Sequence, residues 1–85
     1  MDRQQLHALL RERVGPRASR LGLRAAEITE DLDLVRTGIL DSLDFVDFVT
    51  ELETTLDRRV ELAEAFDKPG VTTVGGVLDL FIRDR

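Results

Sequence analysis

The sequence of 85 residues contains no cysteine, no tryptophan and no tyrosine, and a single histidine. The missing thiols exclude a disulfide framework and every thiolate metal site. With His7 alone, the zinc constellations that need two or more imidazoles cannot be assembled. Four phenylalanines are the whole aromatic complement, which leaves little to stack on nucleic acid bases. No uninterrupted apolar run exceeds three residues, so no membrane span is expected. The opening MDRQQ is polar and has no apolar signal region; a cytoplasmic protein is the expectation. Neither a GxxxxGK[ST] loop nor a GxGxxG turn occurs, so no phosphate-cradling motif is visible. There is no internal repeat and no low-complexity segment.

The length suits one small domain over residues 1–85, with a single modest core and little room for an enclosed pocket. The formal net charge of −5 is unevenly placed. Residues 1–24 carry six arginines against Asp2 and Glu12, net +4, and residues 25–85 carry fifteen acids against six bases, net −9. So acidic a body repels phosphate backbones, which argues against nucleic acid as a partner. It steers instead toward basic surfaces of other proteins. The spread-out arginines of the first third read as a solvated helix face and loop.

Four helical patterns stand out and no convincing strand. The first covers about Arg3–Val14, with Leu6, Leu9, Leu10 and Val14 on one stripe, Asp2 as its cap and Gly15-Pro16 as its stop. His7 lies on the stripe's edge as a half-exposed helix residue. A long ordered connection follows, about Gly15–Asp41, pinned by Ile28, Leu32, Leu34, Ile39 and Leu40, with a short helical turn near Thr29–Leu34. The second helix runs about Ser42–Leu56. At 100° per residue, Phe45, Phe48, Val49, Leu52 and Leu56 gather on its core side. Leu43 points the opposite way with Asp44, Asp47, Thr50 and Glu51, and Val46 sits between. A short third helix covers Glu61–Phe66. The fourth, about Thr73–Ile82, carries Val74, Val77, Leu78, Phe81 and Ile82, with Thr72 or Thr73 as cap. Its Gly75-Gly76 pair weakens the first turn unless close packing requires it.

Catalytic chemistry finds little support. A serine nucleophile needs a base in hydrogen-bond reach and a group to orient that base. Only His7 could serve Ser42, from another helix, and no GxSxG elbow surrounds the serine. The carboxylates lie on an open helix face rather than in a cleft that would drive their pKa values apart. Glu30, Asp31 and Asp33 lack the spacing, the glycine and the terminal glutamate of an EF-hand. Ser42 is therefore poorly equipped to act and well placed to be acted on. At a helix start, free N–H groups and the positive end of the dipole favour a phosphate on its oxygen.

The stretch DSLDFVDFVTELE at 41–53, following Gly38-Ile39-Leu40, resembles the second helix of the acyl carrier proteins and the related peptidyl and aminoacyl carrier domains. TTVGGVLDLF at 72–81 resembles the start of their last helix, and the order of elements matches over the whole chain. The resemblance implies an all-α fold, a small four-helix bundle with three longer helices, a short third helix and a long ordered loop between the first two. It implies a carrier that is not itself an enzyme; a monomer is the simple expectation. Ser42 would hold covalent 4′-phosphopantetheine, installed from coenzyme A by a phosphopantetheinyl transferase, and the prosthetic thiol would bear an acyl or aminoacyl thioester. The partner-docking side would be Asp41, Leu43, Asp44, Val46, Asp47 and Glu51, facing the transferase, an acyl- or aminoacyl-loading ligase and downstream synthase or transferase enzymes. Arg58-Arg59-Val60-Glu61-Leu62 stands where fatty-acid carriers show an Ile-Pro-Asp-like stretch. GILDSL resembles stand-alone carriers of specialised pathways, including D-alanyl and other aminoacyl carriers, so the cargo stays open. The competing class is a small acidic helical interaction domain, with Ser42 merely at a helix start and Leu43 and Val46 as a protein-binding patch.

Overall fold

The computed structural model describes residues 2–82, the side chains of 63 and 64 excepted. Helix α1 spans Arg3–Arg20. It starts at a capping box, in which the Asp2 carboxylate accepts the Gln5 N–H at 2.8 Å and the Gln5 side chain accepts the Asp2 N–H at 3.0 Å. Leu6, Leu10, Val14 and Ala18 form its buried stripe, while Leu9 is only partly buried. The expected stop at Gly15-Pro16 is overturned, because the helix runs through both residues. An interior proline costs a helix about 3 kcal/mol in isolation, yet the buried stripe continues past it to Ala18, so packing holds the extra turn. The true stop is Gly22, at φ +83°. There the Gly22 N–H reaches the Ser19 carbonyl and the Leu23 N–H reaches that of Ala18, both at 3.0 Å, the paired bonds of a Schellman end.

The segment from Leu21 to Asp41 contains a single 3₁₀ turn, Ala25–Glu27. Thr29–Leu34, expected to be helical, is not. Its backbone groups are engaged across the molecule: Val74 N–H donates to Leu32 O at 2.9 Å, Leu34 N–H to Thr72 O at 2.9 Å, and Gly75 N–H to Glu30 O at 2.9 Å. Asp33 faces Thr73 in an isolated antiparallel bridge, and no strand occurs among the described residues. Ile28, Leu34, Ile39 and Leu40 are buried and Leu32 partly so, which is the anchoring expected of them. His7 Nε2 donates to the Ile28 carbonyl at 2.8 Å and ties the segment to α1.

Helix α2 is Ser42–Leu56, burying Phe45, Phe48, Val49 and Leu52. It ends at Asp57, in the left-handed region at φ 54°. The four-residue α3, Leu62–Ala65, and α4, Val74–Phe81, complete the helices. The Thr73 hydroxyl caps α4 by accepting the Gly76 N–H at 2.9 Å, and Val74, Val77, Leu78 and Phe81 join the core. One arginine clasps three elements. Arg3 donates twice to Glu30, at 2.7 and 3.0 Å, and once to Asp79 on α4 at 2.9 Å. Asp33 Oδ1 is a second joint, accepting from Val35 N–H at 3.0 Å, Arg36 N–H at 2.9 Å and the Thr72 hydroxyl at 2.9 Å.

The glycine pair is now explained at one position. A Cβ on Gly76 would collide with the Gly70 carbonyl oxygen and lie 2.8 Å from Val71 Cα, backbone that cannot swing away. Gly76→Ala is expected to destabilise the fold by about 1–3 kcal/mol. Gly15→Ala points to open space within α1 and is expected to stabilise by about 0.5–1 kcal/mol. Urea denaturation of the two variants checks both signs.

The joints also set the acid response. The hydrogen bonds from Arg3 hold the Glu30 carboxyl below its ordinary value against some desolvation. Burial pushes Asp33 up, but the Arg36 N–H, the Thr72 hydroxyl and the Val35 N–H outweigh it and hold this group low as well. Carboxyls depressed by folding contribute stability that is complete above the ordinary carboxylate range and lost as pH falls through their folded values. Stability is therefore expected to fall below about pH 4, and less steeply in Arg3→Gln. A pH series of melting temperatures that shows parallel curves for the two proteins would contradict this.

Candidate functional site

The start of α2 is set by Asp41. Its backbone is extended, at φ −86° and ψ −178°, and its carboxylate accepts the Asp44 N–H at 2.7 Å. The Asp41 carbonyl takes the Phe45 N–H at 2.9 Å. Ser42 is thus the first helical residue and not the cap. Its side chain is exposed, and its hydroxyl makes no hydrogen bond among the described residues. The N–H groups of Ser42 and Leu43 likewise have no acceptor there, as the first turn of a helix requires. An exposed oxygen beside free N–H donors and the positive end of a 15-residue helix suits attachment of a phosphate-bearing group.

The segment that leads into this serine is anchored by burial and hydrogen bonds. Gly38, at φ +86°, turns the chain inward, and Ile39 and Leu40 are buried behind it. Leu40 N–H donates to Leu34 O at 2.9 Å, and the Thr37 hydroxyl to Asp33 O at 2.7 Å. Within α2 the pitch then sends Phe45 into the core and Leu43 outward, 77% exposed. Phe66 packs edge-on against Phe45 with ring centres 5.8 Å apart, adding an exposed apolar surface.

The expected docking residues share this outer side of α2, but not all as free groups. Asp41 is exposed and engaged as the cap. Asp47 is exposed with no ion pair among the described residues, and Val46 is half-buried. Asp44 meets Arg17 at 3.2 Å and Glu51 meets Arg13 at 3.9 Å. Arginines 13 and 17 therefore line the acidic side of α2 instead of forming a separate solvated face. Sequence reasoning missed this because it ended α1 at Val14 and left Arg17 in a loop. The four-residue spacing of the two arginines was the available signal. Both pairs are well exposed, so each contributes about 0–1 kcal/mol.

Among the described residues no side chain is hydrogen-bonded to the Ser42 hydroxyl to act as a base. His7 is committed to the Ile28 carbonyl, Glu30 to Arg3, and Asp33 to its three donors. Among the described residues no group of three or more His, Cys, Asp or Glu could hold a metal ion. No helix among them is long and apolar enough to cross a membrane.

Comparison with known proteins supplies the family. The model of the phosphopantetheine attachment site family matches residues 18–78, a range that includes α2 whole. The acyl carrier protein of Saccharopolyspora erythraea is 36% identical over 80 residues, which cover 94% of this chain and 78% of that protein. No solved structure matches at a comparable level of significance.

Proposed function

Because the chain belongs to the acyl carrier protein family, we propose that Ser42 is the residue carrying the covalent 4′-phosphopantetheine of that family. The protein is a carrier and not an enzyme. When attached, the group supplies a thiol that holds an acyl or aminoacyl cargo as a thioester, which a chain without cysteine cannot do alone. The observation that carries the assignment is the division of labour at the start of α2. Asp41 caps the helix and so leaves the Ser42 hydroxyl unbonded and exposed. Only one other serine exists, Ser19, and it lies in the last turn of α1, at the opposite kind of helix end.

The rest of the chain presents this residue. We read it as one carrier domain, a small four-helix bundle in which the 21–41 segment is an ordered part of the mount. Leu43 and Val46 offer apolar contact, and Asp47 and Glu51 offer charge, to basic surfaces on cytoplasmic partners. Those partners are a phosphopantetheinyl transferase, an acyl- or aminoacyl-loading ligase and downstream synthase or transferase enzymes. Charge of this kind governs encounter rate more than final affinity.

Incubation with coenzyme A, Mg²⁺ and a broad-specificity phosphopantetheinyl transferase is expected to add one phosphopantetheinyl group to the intact mass, and none to Ser42→Ala. That variant is expected to keep its stability within about 0.5 kcal/mol, so its failure is not one of folding. Retained modification in Ser42→Ala would refute the assignment. The double variant Asp47→Lys, Glu51→Lys is expected to be modified more slowly, and the wild-type rate to fall as salt rises. Rates indifferent to both would remove the docking role of these carboxylates.

A further inference from the structure

Arg17 meets Asp44 at 3.2 Å and Arg13 meets Glu51 at 3.9 Å. The numbering rises along α1 as it falls along α2, so the two helices run antiparallel here. Asp47 falls between the two pairs along α2. At 100° per residue, Asp44, Asp47 and Glu51 lie within about 60° of one another around the helix. All five charged residues line one groove of about 180 Å³. Val14, Leu40 and Phe48 line it too, and these are buried. The apolar contacts hold the elements together, whereas exposed ion pairs add little to a fold. The three carboxylates are not equivalent. Asp44 has the shorter pair and a side chain 43% exposed, while Glu51 has the longer pair and keeps 68%. Asp47 is exposed and has no ion pair among the described residues. A cation that approaches Asp44 also approaches the Arg17 guanidinium, and like charges repel. One that approaches Asp47 meets a carboxylate with no ion-pair partner there.

We propose that Arg13 and Arg17 set which carboxylate a basic partner protein engages: they withhold Glu51 and Asp44 and leave Asp47 as the anchor for a basic side chain of that partner. The inference rests on the reading of α2 as the docking side. Arg17, with the shorter pair, carries the larger share of the effect. Both arginines act through the carboxylates they hold and take no part in the chemistry at Ser42.

The test is a double-mutant cycle read on the second-order rate of modification by a broad-specificity phosphopantetheinyl transferase at low salt. The cycle joins Arg17→Gln with Asp44→Asn, beside the same cycle with Asp47→Asn. Long-range effects of net charge are close to additive in such a cycle, so the coupling reports the local pair. In the wild type, Asp47→Asn is expected to slow modification by roughly two- to fivefold and Asp44→Asn by less. Once Arg17 is glutamine, Asp44→Asn is expected to cost as much as Asp47→Asn, whose own cost stays the same. Arg17→Gln alone is expected to be modified faster than Arg11→Gln, which removes the same charge from another side of α1. The gain is expected to shrink as salt rises. Equal costs of Asp44→Asn in the two backgrounds, or equal rates for Arg17→Gln and Arg11→Gln, would overturn the role of the arginines while leaving the docking side in place. Rates unmoved in Asp47→Lys, Glu51→Lys would overturn the docking side and this inference together. Failure of the wild-type mass gain would overturn the attachment residue and everything that rests on it.

Discussion

The single hydrogen bond from the Asp44 N–H to the Asp41 carboxylate decides where α2 begins, and the site depends on it. Serine and aspartate are both good caps, each worth about 1 kcal/mol over alanine. Had Ser42 taken that place, its hydroxyl would turn back to the helix as an acceptor. With Asp41 in it, Ser42 becomes the first helical residue, and every later side chain of α2 is fixed in direction by a pitch of 100° per residue. Leu43 is sent to solvent and Phe45 to the core by the same step. One carboxylate thus governs both the availability of the hydroxyl and the composition of the surface around it.

The cap is useful only because its own position is held. The segment before it has few helical bonds of its own and takes its order from α4. Backbone bonds run from residues 72–75 to residues 30–34, and Asp33 gathers three donors at the same joint. Gly76 permits the close approach that this joint demands. Arg3 closes the frame from the other end by holding Glu30 and Asp79 together. The chain therefore ties its last helix to the segment that leads into Ser42.

Helix α2 was legible in the sequence to the residue, since its apolar spacing, its acidic outer side and the Asp41-Ser42 pair at its start all agree. The core stripe of α4 was equally plain. What failed was local reasoning applied where tertiary contacts prevail. Gly15-Pro16 carries a strong stop signal, but the buried Ala18 beyond it keeps the helix going to Arg20. The 29–34 stretch has a plausible helical pattern, but its backbone groups find partners on residues 72–75, which no periodicity reveals. The cap of α2 was ambiguous from sequence because adjacent Asp and Ser suit the position alike. Only the geometry separates the residue that caps from the residue left free.

Electrostatics links the frame to the carrier role. The acidic side of α2 is bordered by Arg13 and Arg17, which leave Asp47 as its least engaged carboxylate. The surface here is a mixed edge, acidic along α2 and basic along α1. The central claim, that Ser42 bears the prosthetic group, is tested most directly by fragmenting the modified protein in a mass spectrometer. Trypsin releases Ser42 within the peptide Thr37–Arg58, apart from Ser19. The account requires the added mass on that peptide and, within it, on Ser42. Added mass on Ser19 or on a threonine would contradict it.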